Sequence, residues 1–189
     1  MQAAPARIEI DDALAALGSP AHAAAGGSGA ALAGALAASV VAKAARVSSH
    51  AGSAAQAIAL EDRLLRFAEA DAAVLGEARA ALDSRDQEGG DSRRDFALGT
   101  VLRKALLVPR AIGEACADVA ELAAGERESV SPDYRADLAA AAAIAAGAAH
   151  AAAHLVAVNL MSTPDDEDVV AARGFAARAT AVAGLFGAG

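Results

Sequence analysis

The stretch AGGSGAALAGALAASVVAKAARV, Ala25–Val47, decides the fold. It joins a glycine–serine turn to a run built mostly of alanine, with scattered glycine, serine, leucine and valine. Alanine is the strongest helix former because it loses no side-chain entropy, and small side chains let neighbouring helices approach closely. Such a helix is suited to burial among other helices. The remainder of the chain repeats the pattern. Of 189 residues, 56% are hydrophobic, yet only 3% are aromatic and tryptophan is absent. The β-branched and aromatic residues that favour strands are sparse. An all-α fold follows.

The length fits one domain over residues 1–189 with a sizeable core. Local signals divide it into five to six helices. A first helix spans roughly Ile8–Leu17 and stops at Gly18-Ser19-Pro20. Ser28 is the expected N-cap of the second, which runs to about Ser49 and breaks near Gly52. Ser53 caps a third, reaching about Leu82, and Asp86–Gly90 forms a loop. Ser92 and Asp95 resemble a capping box for a fourth helix that ends before Gly125. Pro109 lies inside it, so one backbone bond is lost and a kink is expected. Ser131-Pro132 opens a fifth helix ending near Met161. Thr163-Pro164, followed by three acids, opens a sixth that runs to about Phe186. The short connections imply an antiparallel bundle.

Composition narrows the functional classes. Mean hydropathy is +0.34, and Leu138–Met161 reaches membrane-spanning length. That run is mostly alanine and carries His150, His154 and Asn159, so it reads as a core helix. Arg7, Glu9, Asp11 and Asp12 rule out a signal peptide. Cys116 is the only cysteine, which suits a reducing, cytoplasmic setting. A net charge of −8 argues against a nucleic-acid partner, and an anionic ligand would need a local basic patch.

Several residues stand out as carriers of chemistry. Leu60, Leu64, Phe67, Val74 and Leu75 form one apolar stripe of the third helix, and Asp71 falls inside it. A carboxylate aimed at a core must be paired, hydrogen-bonded or protonated. Two readings stay open for Asp71: an ion pair with a buried arginine, or an acid or base in a pocket. On the second helix, Ser28, Ser39, Lys43, Arg46 and His50 share a side. This is either a solvated face or, through Lys43 and Arg46, a cationic group for an anion. The Gly26-Gly27-Ser28 turn at a helix start is a candidate anion cradle. His150 and His154 are spaced to share a metal, but no third ligand accompanies them, and no metal is expected. Gly-rich nucleotide loops and nucleophile elbows are absent.

The order of these features resembles the formimidoyltetrahydrofolate cyclodeaminase/methenyltetrahydrofolate cyclohydrolase family, the domain also found at the C-terminus of formiminotransferase-cyclodeaminase. The family's Gly-Gly-Gly-Ser turn and small-residue helix correspond to Ala25–Val47. Its Asp before an apolar-aromatic pair matches Asp71, with Leu75 replacing the aromatic residue. Its Val-Pro matches Val108-Pro109, and its Ser-Asp and Asn-Leu match Ala136-Asp137 and Asn159-Leu160. The sequence departs from the family at His22–Ala25, at Arg46, at His50–Ala54 and at Pro132–Arg135.

The resemblance implies a folate one-carbon enzyme acting on methenyl- or formimino-tetrahydrofolate, either by ring-opening hydration or by ring closure with loss of ammonia. Asp71 and Asp137 would be the acid-base residues. Gly26, Gly27, Ser28 and Asn159 would bind substrate, with Lys43 or Arg46 facing its carboxylates. No prosthetic group is implied, and a tetrahydrofolate derivative enters as substrate. A homodimer is expected, with no nucleic-acid or membrane partner. Two alternatives remain: an enzyme re-tuned to another imine or amidine, with His22 as its base, or a non-catalytic helical oligomer that binds a ligand or partner.

Overall fold

The computed structural model describes residues 10–88, 92–158 and 163–187. Every regular element among them is helical: α1 (Ile10–Gly18), α2 (Gly26–Val47), α3 (Ala51–Glu88), α4 (Ser92–Glu126), α5 (Arg135–Ala157) and α6 (Glu167–Ala183). Short 3₁₀ turns at Pro132–Tyr134 and Gly184–Phe186 precede α5 and follow α6. The order and type of the elements agree with the sequence reading. Several boundaries do not. The third helix passes through Leu82 to Glu88, because no helix breaker occurs before Gly89. Asp86–Glu88 is therefore helical, while Gly89 and Gly90 fall outside the described residues. Ser131-Pro132 starts a 3₁₀ turn rather than the α-helix itself. The sixth helix is capped by Asp166, whose side chain accepts the Asp168 N–H, and not by Thr163.

Pairs of contacts fix the helix directions. Ser28 meets Asp71 while Gly34 meets Leu64, so α2 and α3 are antiparallel. Lys104 reaches Glu77 while Arg63 reaches Glu114, so α3 and α4 are antiparallel. Arg103 and Arg110 meet Asp168 near the start of α6, and Arg127 bonds the Leu185 carbonyl beyond its end, so α4 and α6 run the same way. His150 on α5 contacts Thr180 on α6. Helix α2 packs against α3, α4 and α5 together. Its buried face is almost all small: Ala31, Ala37, Ala38, Ala44 and Ala45 are fully enclosed beside Val41.

Close approach explains Gly34. A Cβ there would lie 2.6 Å from Cys116 Sγ and 3.2 Å from a Leu64 methyl, so only glycine lets α2 sit against both α3 and α4. Three helical segments, Gly26–Val47, Pro132–Ala157 and Glu167–Phe186, are long and apolar enough to cross a membrane by length and composition. In the bundle, the alanine faces of the first two are engaged in helix packing.

The turn between α2 and α3 corrects another expectation. The second helix ends at Val47, before Gly52, with Ser49 in the left-handed region at φ 63°. His50 N–H bonds the Ala45 carbonyl and Ser49 N–H bonds the Arg46 carbonyl, the pattern of a Schellman cap. Glycine usually occupies that position, so serine hid the stop. Ser53 does not cap α3, which already begins at Ala51; its hydroxyl donates to Glu126.

Two stability outcomes follow. Ser49→Gly relieves left-handed strain and should raise stability by about 0.5–1 kcal/mol in urea unfolding. Gly34→Ala should lower it by about 1–3 kcal/mol through overpacking, and adding Cys116→Ala should recover part of the loss in a double-mutant cycle.

Candidate functional site

The start of α2 has no cap of its own. Ala25 occupies the N-cap position and offers no side-chain acceptor. The leading N–H groups of a helix lack intrahelical partners, so another group must serve them. Asp71, on the middle of α3, does so. Its Oδ2 accepts the Ser28 backbone N–H at 2.7 Å and the Ser28 hydroxyl at 2.9 Å. The same hydroxyl also lies 3.1 Å from the Ala68 carbonyl. Ser28 is thus the third residue of the helix rather than its N-cap, and it is 3% exposed. The partner of Asp71 is a helix start and not an arginine.

Gly27 makes the arrangement feasible. Any Cβ on it would overlap the Asp71 carboxylate. Asp71 is 4% exposed, and burial pushes its pKa above the ordinary 3.8, against the two hydrogen bonds from Ser28. The cap therefore holds a carboxyl group whose proton is bound more tightly than usual.

Beside Ser28 lies a cleft of about 500 Å³ between α1, α2 and α3. Ser28, Leu32, Ala68 and Ala72 form its floor, and Asp12, His22 and Glu69 supply polar groups. His22 Nδ1 accepts the Ala24 N–H at 3.0 Å, which leaves Nε2 as the donor. None of the described lining residues is a lysine or arginine, although Arg79 Nη1 donates to the His22 carbonyl at 3.4 Å. Asp71 is not among the lining residues; it is joined to the cleft through Ser28, which lines it and whose hydroxyl bonds the carboxyl.

The remaining sequence candidates lie elsewhere. Lys43 and Arg46 are exposed near the far end of α2, about 22 Å or more from Ser28 at 1.5 Å per residue. Lys43 Nζ sits 5.6 Å from the centre of the Tyr134 ring. Asp137, at the start of α5, belongs to that same far end. The opposite end of α5 reaches Gly26 through Leu155, about 27 Å from Asp137. One chain therefore brings together Gly26, Gly27, Ser28, Asp71 and His22, but not Lys43, Arg46 or Asp137. Asn159 lies outside the described residues. His150 bonds Thr180 at 2.8 Å, and the described residues contain no group of three metal-binding side chains.

Sequence reasoning missed a second buried acid. Glu126, at the end of α4, accepts from the Ser53 hydroxyl and pairs with His50 Nδ1. Ser53 and His50 hold its pKa below the ordinary 4.5 although burial opposes them. Its place at a helix end, next to Gly125, gave no periodic signal. A third, Asp168, lies between Arg103 and Arg110.

The two acids act on stability with opposite signs. Glu126 has a lowered folded-state pKa, so its stabilisation is present above the unfolded value and is lost as pH falls. Asp71 has a raised one, so its contribution is present when protonated and is lost as pH rises through the folded value. In urea unfolding over a pH series, Asp71→Asn should gain stability relative to the parent as pH rises. Glu126→Gln should flatten the acid limb.

Comparison with known proteins extends these observations. The family model described as formiminotransferase-cyclodeaminase matches residues 9–177. No curated protein matches. Among solved structures, the crystal structure of formiminotetrahydrofolate cyclodeaminase from Thermotoga maritima superposes with a TM-score of 0.73. The identity is 14%, and the match covers 95% of this chain and 97% of the other. The likeness in structure carries the fold, and the family model carries membership: the chain belongs to the formiminotransferase-cyclodeaminase family.

Proposed function

We propose that this protein is a folate one-carbon enzyme that acts on methenyl- or formimino-tetrahydrofolate in a soluble, cytoplasmic setting. The observation that carries the reading is the buried Ser28–Asp71 pair beside a cleft, in a chain of this family. Both candidate reactions pass protons next to a one-carbon centre that bears positive charge. In hydration, water adds to the methenyl carbon, a proton leaves the water, and a ring carbon–nitrogen bond breaks as that nitrogen is protonated. In deamination, the neighbouring anilino nitrogen attacks the formimino carbon to close the ring and loses its proton, and the imino nitrogen departs as ammonia after protonation.

Asp71 suits the proton step because burial raises its pKa, bringing it nearer to neutral pH. Ser28 carries the proton between that carboxyl and the cleft, because its hydroxyl bonds Oδ2 and the residue belongs to the cleft lining. Asp12 and Glu69 add negative charge around a cationic centre. Asp137 has no place in this chemistry within one chain, given its distance along α5.

The acidic cleft also favours a second reading. With no lysine or arginine among its described lining residues, it suits a small imine or amidine that lacks carboxylates. Thermal stabilisation by reduced folates, against stabilisation by simple amidines, separates the two. For the folate reading, Asp71→Asn should cut turnover by about 100-fold or more, the scale of losing a proton-transfer group. Loss of methenyltetrahydrofolate absorbance and release of ammonia from the formimino compound are the measurements. Parental rates in a folded Asp71→Asn protein would remove the assignment.

A further inference from the structure

In a chain of net charge −8, one groove has only basic side chains among its polar residues. It lies between the end of α5 and the middle of α6 and has a volume of about 360 Å³. His150, His154 and Arg173 supply its polar groups, and Ala153, Ala157, Ala176 and Ala177 form the rest of its wall. The alanines keep the wall low. Above them, the two histidines, four residues apart, rise side by side from α5, and Arg173 rises from α6. The groove shares no lining residue with the Ser28 cleft.

The surrounding acids are distant or engaged. Helix α5 has no acidic residue after Asp137, which lies about 20 Å from His150 along the helix. Asp133 precedes Asp137 at that same far end. Helix α6 has none after Asp168, which is held by Arg103 and Arg110. Asp166 caps α6, and Asp165 and Glu167 do not line the groove. On α4, Asp95 is in the first turn, Glu114 pairs with Arg63, Asp118 and Glu121 with Arg178, and Glu126 with His50. Helix α2 carries no acid. Arg173 gives one donor, Nη1, to the Pro164 carbonyl at 3.4 Å, and its others have no partner among the described residues. The His154 ring has none among them either.

The hydrogen-bond inventory limits what His150 can offer. Thr180 gives its one hydroxyl proton to the Ala176 carbonyl at 2.9 Å, so toward His150 Nε2, at 2.8 Å, its oxygen is the acceptor. Nε2 therefore holds the proton of the neutral ring, and Nδ1 holds a lone pair. Protonation converts Nδ1 into a donor and gives the ring a positive charge.

We propose that this groove binds a tetrahedral oxyanion, the phosphate of inorganic phosphate or of a phosphate monoester, between Arg173 and the protonated His150–His154 pair. Arg173 supplies a permanent charge and a fork of donors, and the histidines supply charge and donors from the adjoining helix. A local basic patch of this kind is what an acidic chain needs to hold an anion. Binding takes up protons on the imidazoles, so the site fills as pH falls through the range in which histidine titrates and empties as pH rises. A metal ion suits the pair less well: Arg173 repels it, and His150 Nε2 is engaged with Thr180. The inference uses no residue of the Ser28 cleft and stands apart from the folate reading.

The chain's four histidines supply the readout. Sulfate is the first probe, because it stays doubly charged across the pH range. Added to the full chain at an ionic strength fixed with chloride, it should shift the imidazole proton resonances of His150 and His154 saturably at about pH 6, while those of His22 and His50 stay in place. The apparent Kd should weaken by about tenfold or more between about pH 6 and about pH 8. His150→Gln and His154→Gln assign the signals. Arg173→Gln, at an exposed position, should weaken binding by about tenfold, while Arg66→Gln, the same loss of charge at an exposed position on α3, should not. Inorganic phosphate and glycerol phosphate then distinguish the sources: tighter binding of the ester points to a phosphorylated metabolite, and tighter binding of the free ion to inorganic phosphate. Equal shifts of all four histidines, binding unchanged by Arg173→Gln, or an affinity that does not fall as pH rises overturns the proposal. Saturable binding of zinc chloride by the pair, with none of sulfate, overturns it in favour of a cation site.

Discussion

Everything in this bundle that concerns the cleft depends on one hydrogen-bonded contact, the Asp71 carboxyl on the first turn of α2. A helix that begins Ala-Gly-Gly has neither a capping side chain nor much conformational preference for its first turn. The carboxyl from α3 supplies the missing acceptor. It also fixes the depth at which α2 lies against α3, because Gly27 must sit directly beneath it. A structural need and a chemical opportunity coincide: the group that holds the helix is a buried acid with a shifted pKa.

Much of the fold was legible because alanine periodicity and helix punctuation agree with each other. The Gly18-Ser19-Pro20 stop marks its boundary with residues whose backbone preferences leave few alternatives, and Ser131-Pro132 marks the 3₁₀ turn that leads into α5. The errors have specific causes. Ser49 performs the glycine role at the end of α2, so the helix reading ran on to about Ser49, two residues past its last helical residue, Val47. The polar run after Leu82 looked like a loop, yet each of its residues up to Glu88 is compatible with a helix.

The site was legible in part. Asp71 announced itself as an acid on an apolar stripe, which is a one-dimensional signal. Its partner did not, because Ser28 at a helix start resembles any N-cap. Helical spacing showed that Ser28, Lys43 and Arg46 share a side of α2, but it hid the length separating them. A stripe more than 20 Å long cannot face one small ligand from within one chain. Glu126 was invisible because its two partners, His50 in the α2–α3 connection and Ser53 in the first turn of α3, are far away in sequence.

The Asp71 cap also bears on how the chain folds. The α2–α3 and α3–α4 pairs are antiparallel neighbours in sequence, while α2 also packs against α5 and α4 runs the same way as α6, so the bundle joins local contacts to distant ones. The first turn of α2 is stabilised by a residue 43 positions away in the chain, so that turn cannot be secured by local helix formation alone. It is completed when α3 has already passed through Asp71 and the hairpin has closed. The first turn of α2 and the middle of α3 therefore share hydrogen bonds, so opening either one breaks the same Ser28–Asp71 contact.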